Sequence, residues 1–178
     1  MTVKEFIKKT HAVIHDDAHF RMNIPVCSNS EQEYYEQYAK EYKAQIMEAL
    51  HEQQWLADRE DDLRCAVKRI YDIERQWEKY NYSFQQFLNS DNAHKPKMPS
   101  VTVRDAVSRL NRREKAYLLA DRYAQSGNFV RAEIGEEAKK KIVRSESGLS
   151  ETYSDIITEM KEKWLDYCKG KNNYTEIQ

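Results

Sequence analysis

A chain of 178 residues with 33% charged residues and a formal net charge of −1 is one domain, or one domain with an extended arm. The near-zero charge excludes a bulk polyanion binder of the histone kind, although not a local basic face. No apolar segment approaches the roughly 20 residues needed to cross a bilayer, and Met1–Thr10 lacks the apolar run of a signal peptide, so the expectation is a cytoplasmic chain with no membrane partner.

In chain order, Thr2 and Glu5 form a capping box for a short helix over 2–10. Phe20, Met22, Ile24 and Val26 then alternate with polar residues or Pro25, and HAVIH (11–15) is partly β-branched. This predicts a small N-terminal β-hairpin within 11–26, pairing 11–15 with 19–26. The stretch from Cys27 to Lys95 contains no glycine and no proline. Within it, every seventh residue from Tyr35 reads Tyr, Tyr, Ala, Leu, Leu, Ile, Trp, Phe, ending at Phe84, with further apolar residues three or four positions on. That spacing is one stripe of a helix, and Ser30 with Glu33 predicts its capping box.

The stripe thins over 52–62 (EQQWLADREDD), where Asp58 is a candidate cap for a new helix. Two readings stay open for 31–89: one long helix, or a helical hairpin folded at the acidic segment, which a compact core favours. Residues 90–100 read as a linker with Pro96 and Pro99. In 101–170, Thr102 caps a helix running to about Gln125, with Gly127 as a left-handed C-cap. A helix over 129–144 follows, Gly148 breaks the chain, and Ser150 caps a last helix over 151–169 that Gly170 ends. The tail 171–178 is polar. The fold class expected is mainly α, a helical bundle around the long segment.

Charge is unevenly spread. Residues 31–62 carry ten acids and three bases, and residues 101–144 carry eleven bases and six acids. In the acidic block, Tyr34 is expected to point outward among Glu33, Glu36 and Glu41, with Asp58, Glu60, Asp61 and Asp62 extending the charge. Carboxylates repel phosphate, whereas tyrosines with an acidic rim suit a protein partner that carries a basic surface. A plain aromatic core explains Tyr35, Tyr38 and Tyr42 equally well. In the basic block, Arg109, Arg112 and Arg113 share one side of a helix, and Lys139, Lys140 and Lys141 follow. These are candidates for gripping phosphates, against the simpler reading of a solvated face.

Catalytic grammar is sparse. His11, His15 and His19 recur every four residues and suggest a metal-dependent enzyme only if they fold onto one face. His51-Glu52 starts the zinc-protease motif, but Trp55 stands where its second histidine belongs. The four glycines stand alone, so there is no phosphate loop, and the three separated cysteines fit reduced thiols. No cofactor is called for. The expectation is therefore a non-enzymatic protein-interaction module, a small regulator or inhibitor of the phage or mobile-element type. Its target would be a host nucleic-acid-processing protein or a ribonucleoprotein complex. The alternatives are a nucleic-acid-binding accessory protein and the metal-dependent enzyme. Pairing of two copies also fits the opposed charge blocks. Residues 31–62 are the expected binding surface and 63–88 chiefly core.

Overall fold

The computed structural model describes residues 1–91, 93–145 and 150–175. It is mainly α, with seven helices and one two-stranded sheet among the described residues. In order these are α1 (Val3–Thr10), β1 (Val13–Asp16), β2 (His19–Arg21), α2 (Asn29–Glu41), α3 (Lys43–Leu88), α4 (Val103–Ser108), α5 (Arg112–Ala124), α6 (Phe129–Arg144) and α7 (Ser150–Thr175). Two compact units, Met1–Arg59 and Glu60–Gln178, divide the chain inside the acidic segment, and α3 contributes to both.

In the first unit, the Thr2–Glu5 capping box opens α1 as expected. The helix stops at His11, whose backbone is left-handed at φ 46° and ψ 44°. Thr10 is fully buried, and its hydroxyl donates to the Phe6 carbonyl at 2.8 Å. The hairpin is shorter than expected. Its antiparallel pairing sets Val13 against Arg21 and Ile14 against Phe20, then slips between Ile14 and Asp16. Residues 22–26 leave the ladder: the Asn23 amide donates instead to the Thr10 carbonyl at 2.9 Å, and Pro25 has no amide to donate.

The helix after the hairpin starts half a turn earlier than Ser30. Ser28 is the cap, closed by Glu31: the Glu31 amide donates to the Ser28 hydroxyl at 3.4 Å, and the Ser28 amide to the Glu31 carboxylate at 3.0 Å. Ser28–Glu31 and Ser30–Glu33 have the same spacing, and the earlier box keeps more residues on the helical ladder. The hairpin fold at 52–62 is absent. One helix runs through it as α3, and Asp58 accepts from the Gln54 side chain at 2.8 Å instead of capping. Good helix formers and no Gly or Pro leave nothing to stop the ladder there. The break lies earlier, at Tyr42 alone (φ −108°, ψ 22°). Hydrogen bonds cross even this joint, from the Tyr42 amide to the Tyr38 carbonyl (2.9 Å) and from the Ile46 amide to the Tyr42 carbonyl (3.0 Å). The core of the unit is Phe6, Ile7, Ala12, Ile46 and Leu50, with Tyr35, Tyr38 and Tyr42 packed on it.

In the second unit, α5 packs on α6 and both pack on α7. From α3, Leu63, Ala66, Val67 and Ile70 are buried. Beyond Ile70 the expected core thins: Trp77, Tyr80, Phe84 and Phe87 are half-buried, and Tyr82 and Leu88 are exposed. The Trp77 indole N–H donates to the Val101 carbonyl at 2.8 Å, tying down the end of the irregular 93–101 segment. The single helix expected from 102 to 125 is two. Asn111 forms a complete capping box with Glu114 and restarts the chain as α5. Gly127 is not left-handed, for no glycine among the described residues has a positive φ. The turn closes instead through the Gln125 amide on the Asp121 carbonyl (2.9 Å) and the Ser126 amide on the Tyr123 carbonyl (3.0 Å), and Asn128 caps α6. Gly170 lies inside α7, not at its end. The expected break at Gly148 lies outside the described residues.

Gly135 sits where α6 comes close to the backbone of α5. A Cβ there would stand 2.3 Å from the Ala124 amide nitrogen and 2.6 Å from the Ala120 carbonyl oxygen. Alpha-carbon hydrogens alone fit between α5 and α6 at that point.

Candidate functional site

The long aromatic stripe of the first unit has two sides. Tyr35, Tyr38 and Tyr42 turn inward. Tyr38 stacks on Phe6 (ring centres 5.0 Å apart) and on Tyr42 (4.4 Å), and its hydroxyl donates to the Met1 carbonyl at 3.0 Å. Tyr34 turns outward, 50% exposed, with its ring 5.9 Å from that of Tyr35 and 6.4 Å from that of Tyr38. Seven-residue steps from Tyr34 meet Glu41, Glu48 and Trp55, all exposed. Because the hydrogen-bond ladder crosses Tyr42, these four share one outward face, drifting by only about 20° per step. Trp55 is 45% exposed, and the Arg59 guanidinium covers one face of its ring at 4.2 Å. Glu48 and Trp55 were not among the residues singled out by the sequence, yet the interval 34–41–48–55 was there to read.

The other predicted acids scatter. Glu33, Glu36 and Asp58 are exposed in the first unit, with Glu36 accepting from Gln32 at 3.1 Å. Glu60, Asp61 and Asp62 belong to the second unit, where Glu60 accepts from Arg64 at 3.0 Å and Asp61 reaches it at 4.0 Å.

Charge is used differently in the two units. In the first, His19 and Asp16 form an exposed ion pair at 2.8 Å. Glu33, Glu36, Glu41, Glu48 and Glu52 form none with a described residue. The concentration of charge is felt locally: the Glu41 carboxylate holds the Tyr42 phenol above its ordinary pKa.

Part of the basic block of the second unit is consumed inside it. Arg113 donates through Nε to the Tyr153 hydroxyl (2.6 Å) and through Nη2 to the Ser145 carbonyl (3.0 Å). Lys139 pairs with Asp121 at 2.8 Å, each side chain only 12% exposed, and lies over the Tyr117 ring. Lys141 pairs with Glu159 at 2.9 Å. Asp121 also accepts from the Tyr71 hydroxyl (2.7 Å) and from Gln125 (2.9 Å), so both of its carboxylate oxygens are engaged. Burial, and then the hydrogen bond to Asp121, push the Tyr71 phenol well above its ordinary pKa. Burial pulls Lys139 the other way, but its bond to Asp121 outweighs that and its pKa is raised. The Tyr117 hydroxyl is buried with no well-formed hydrogen bond, although the Arg64 guanidinium stands beside it. Of the six basic candidates, Arg109, Arg112 and Lys140 remain exposed without an ion pair to a described residue. Arg112 and Arg113 line an open cleft of about 550 Å³ with Asn111 and Tyr153.

His11, His15 and His19 are all exposed and sit on different elements: the α1 cap, β1 and the start of β2. No group of three or more His, Cys, Asp or Glu among the described residues is placed to hold a metal ion. The three cysteines are free thiols. No helix among the described residues is long and apolar enough to cross a membrane. Comparison with protein families, curated proteins and solved structures finds no match for this chain.

Proposed function

We propose that this chain is a non-enzymatic protein-interaction module whose outward α2–α3 face binds a basic surface of another protein. In this reading it acts as a small regulator or inhibitor, of the phage or mobile-element type, on a nucleic-acid-processing protein or ribonucleoprotein complex. One observation carries it. Glu33, Glu36, Glu41, Glu48 and Glu52 form no ion pair with a described residue, and an exposed tyrosine and an exposed tryptophan stand in register among them. Tyr and Trp are the residues that most often dominate binding energy, and uncompensated acids steer a basic partner toward them.

The test is affinity capture from the native host with the whole protein and two variants, Tyr34→Ala/Trp55→Ala and Glu41→Lys/Glu48→Lys. These side chains are exposed, so folding should persist. The reading expects a specific protein to be captured by the wild type and lost with both variants. Undiminished capture by both would remove this face from the function.

A second reading rests on Arg109, Arg112 and Lys140, which stay exposed and unpaired among the described residues, Arg112 beside the open cleft. It makes the chain a nucleic-acid-binding accessory protein. It predicts a gel shift that weakens steeply with salt and is reduced by Arg112→Ala; no shift at low salt would dismiss it.

A further inference from the structure

The outward face is narrow and linear, and its spacing constrains what can lie along it. Tyr34 and Trp55 are 21 residues apart, which is about 32 Å at 1.5 Å per residue. Glu41 and Glu48 fall between them at intervals of about 10.5 Å, with Glu52 one turn beyond Glu48. The ridge is convex, because it is the outer side of a helix whose inner side, through Ile46 and Leu50, is already packed in the core with Phe6 and Ile7.

We infer that the element docked on this face is a basic α-helix of the partner, about three heptads long, lying alongside α2–α3. The inference rests on the interaction reading above and names the partner's chemistry and shape. A second helix shows one face every seven residues, so its side chains meet the ridge at the same interval of about 10.5 Å. An extended strand shows one face every 6.6 Å or so and falls out of step within two contacts. A flat surface touches only the crest of a ridge about 10 Å wide. Lys or Arg on the docked helix would face Glu41, Glu48 and Glu52, and apolar side chains would face the exposed rings of Tyr34 and Trp55 at either end. The same carboxylates argue against a second copy of this chain, since two such faces would set like charges together.

Designed peptides test this with the full-length protein. One peptide of about 24 residues carries leucines 21 positions apart and lysines at the intervening heptad positions, on an Ala/Gln background. A second has the same composition with its lysines spread around the helix. A third repeats the first with a central proline, which breaks the helix. Binding is read by fluorescence anisotropy. The registered peptide should bind at least tenfold more tightly than either control, and Trp55→Ala/Glu48→Lys should abolish the difference. Equal binding of the proline peptide would show that charge alone is recognised and overturn the inference, as would no binding by any peptide. Either result alongside Trp55-dependent capture of a native partner leaves the interaction reading standing without the helix. Loss of Trp55 dependence in the capture removes both.

Discussion

Gly135→Ala puts a methyl group where two helices nearly touch. The new Cβ would sit 2.3 Å from the Ala124 nitrogen, 2.6 Å from the Ala120 oxygen and 2.8 Å from the Tyr123 carbonyl carbon. All three are backbone atoms, so none can turn aside, and α5 and α6 must separate by about 1 Å to restore ordinary contact. Overpacking a filled interior costs about 1–3 kcal/mol, and a gap of 0.5–1 Å forfeits about a quarter to a half of each dispersion contact along the seam. Against this, alanine is a better helix former than glycine by about 1 kcal/mol. The seam effect wins, for a net loss of about 2 kcal/mol, or a fall in Tm of about 8 °C for a unit of this size. Gly170→Ala is the control. Gly170 lies in α7 with nothing within 4 Å of its added methyl. There the helix preference stands alone and should raise stability by about 0.5–1 kcal/mol. Thermal and urea unfolding followed by circular dichroism measure both. A Gly135→Ala protein as stable as the wild type would refute the close approach of α5 and α6.

Three further outcomes follow from buried or strained groups. Asp121→Ala strands the Lys139 ammonium, the Tyr71 hydroxyl and Gln125, and should cost about 3 kcal/mol or more in urea unfolding. Adding Lys139→Met should recover much of that loss, and no recovery would mean the pair is not the cause. Tyr71 and Lys139 both have folded pKa values above their unfolded values of about 10 and 10.4. Above pH 10 the unfolded chain therefore gives up these protons first. Their stabilisation is complete below that pH and declines as pH rises further, and Tyr71→Phe should make the alkaline decline shallower. A decline of unchanged slope would contradict the assignment. His11→Gly relieves a left-handed residue at the end of α1 and should raise stability by about 0.5–1 kcal/mol, while His11→Val should lower it; equal stability of the two would count against the observed φ.

Much of this was legible before the structure. The Thr2 and Thr102 starts and the 129–144 helix follow from spacing and side-chain chemistry. What was not legible had tertiary or degenerate causes. Ser28–Glu31 and Ser30–Glu33 are equal as local patterns. The thinning of the stripe over 52–62 resembled a turn, but a helix needs no apolar residue at each turn when nothing breaks its ladder. Gly135 looked like an isolated glycine because the backbone it touches, at Ala120, Tyr123 and Ala124, belongs to the preceding helix, across a turn. Lys139 looked like one of three exposed lysines, and only the fold brings Asp121 beside it. Among the candidates, Tyr34 was visible by its polar neighbours, whereas Trp55 entered only as the residue that spoils the zinc-protease motif, and it lies exposed on the outward face.

The uneven use of charge makes ionic strength act on the two units in opposite senses. Salt screens repulsion among the unpaired carboxylates of the first unit and so firms it. In the second unit salt weakens the exposed pairs around Glu137, Glu159 and Lys163, while the enclosed Asp121–Lys139 pair is largely sheltered. Which unit unfolds first is therefore a property of the solution as well as of the chain. In dilute buffer, repulsion among these carboxylates is at its strongest in the part that carries the proposed binding face.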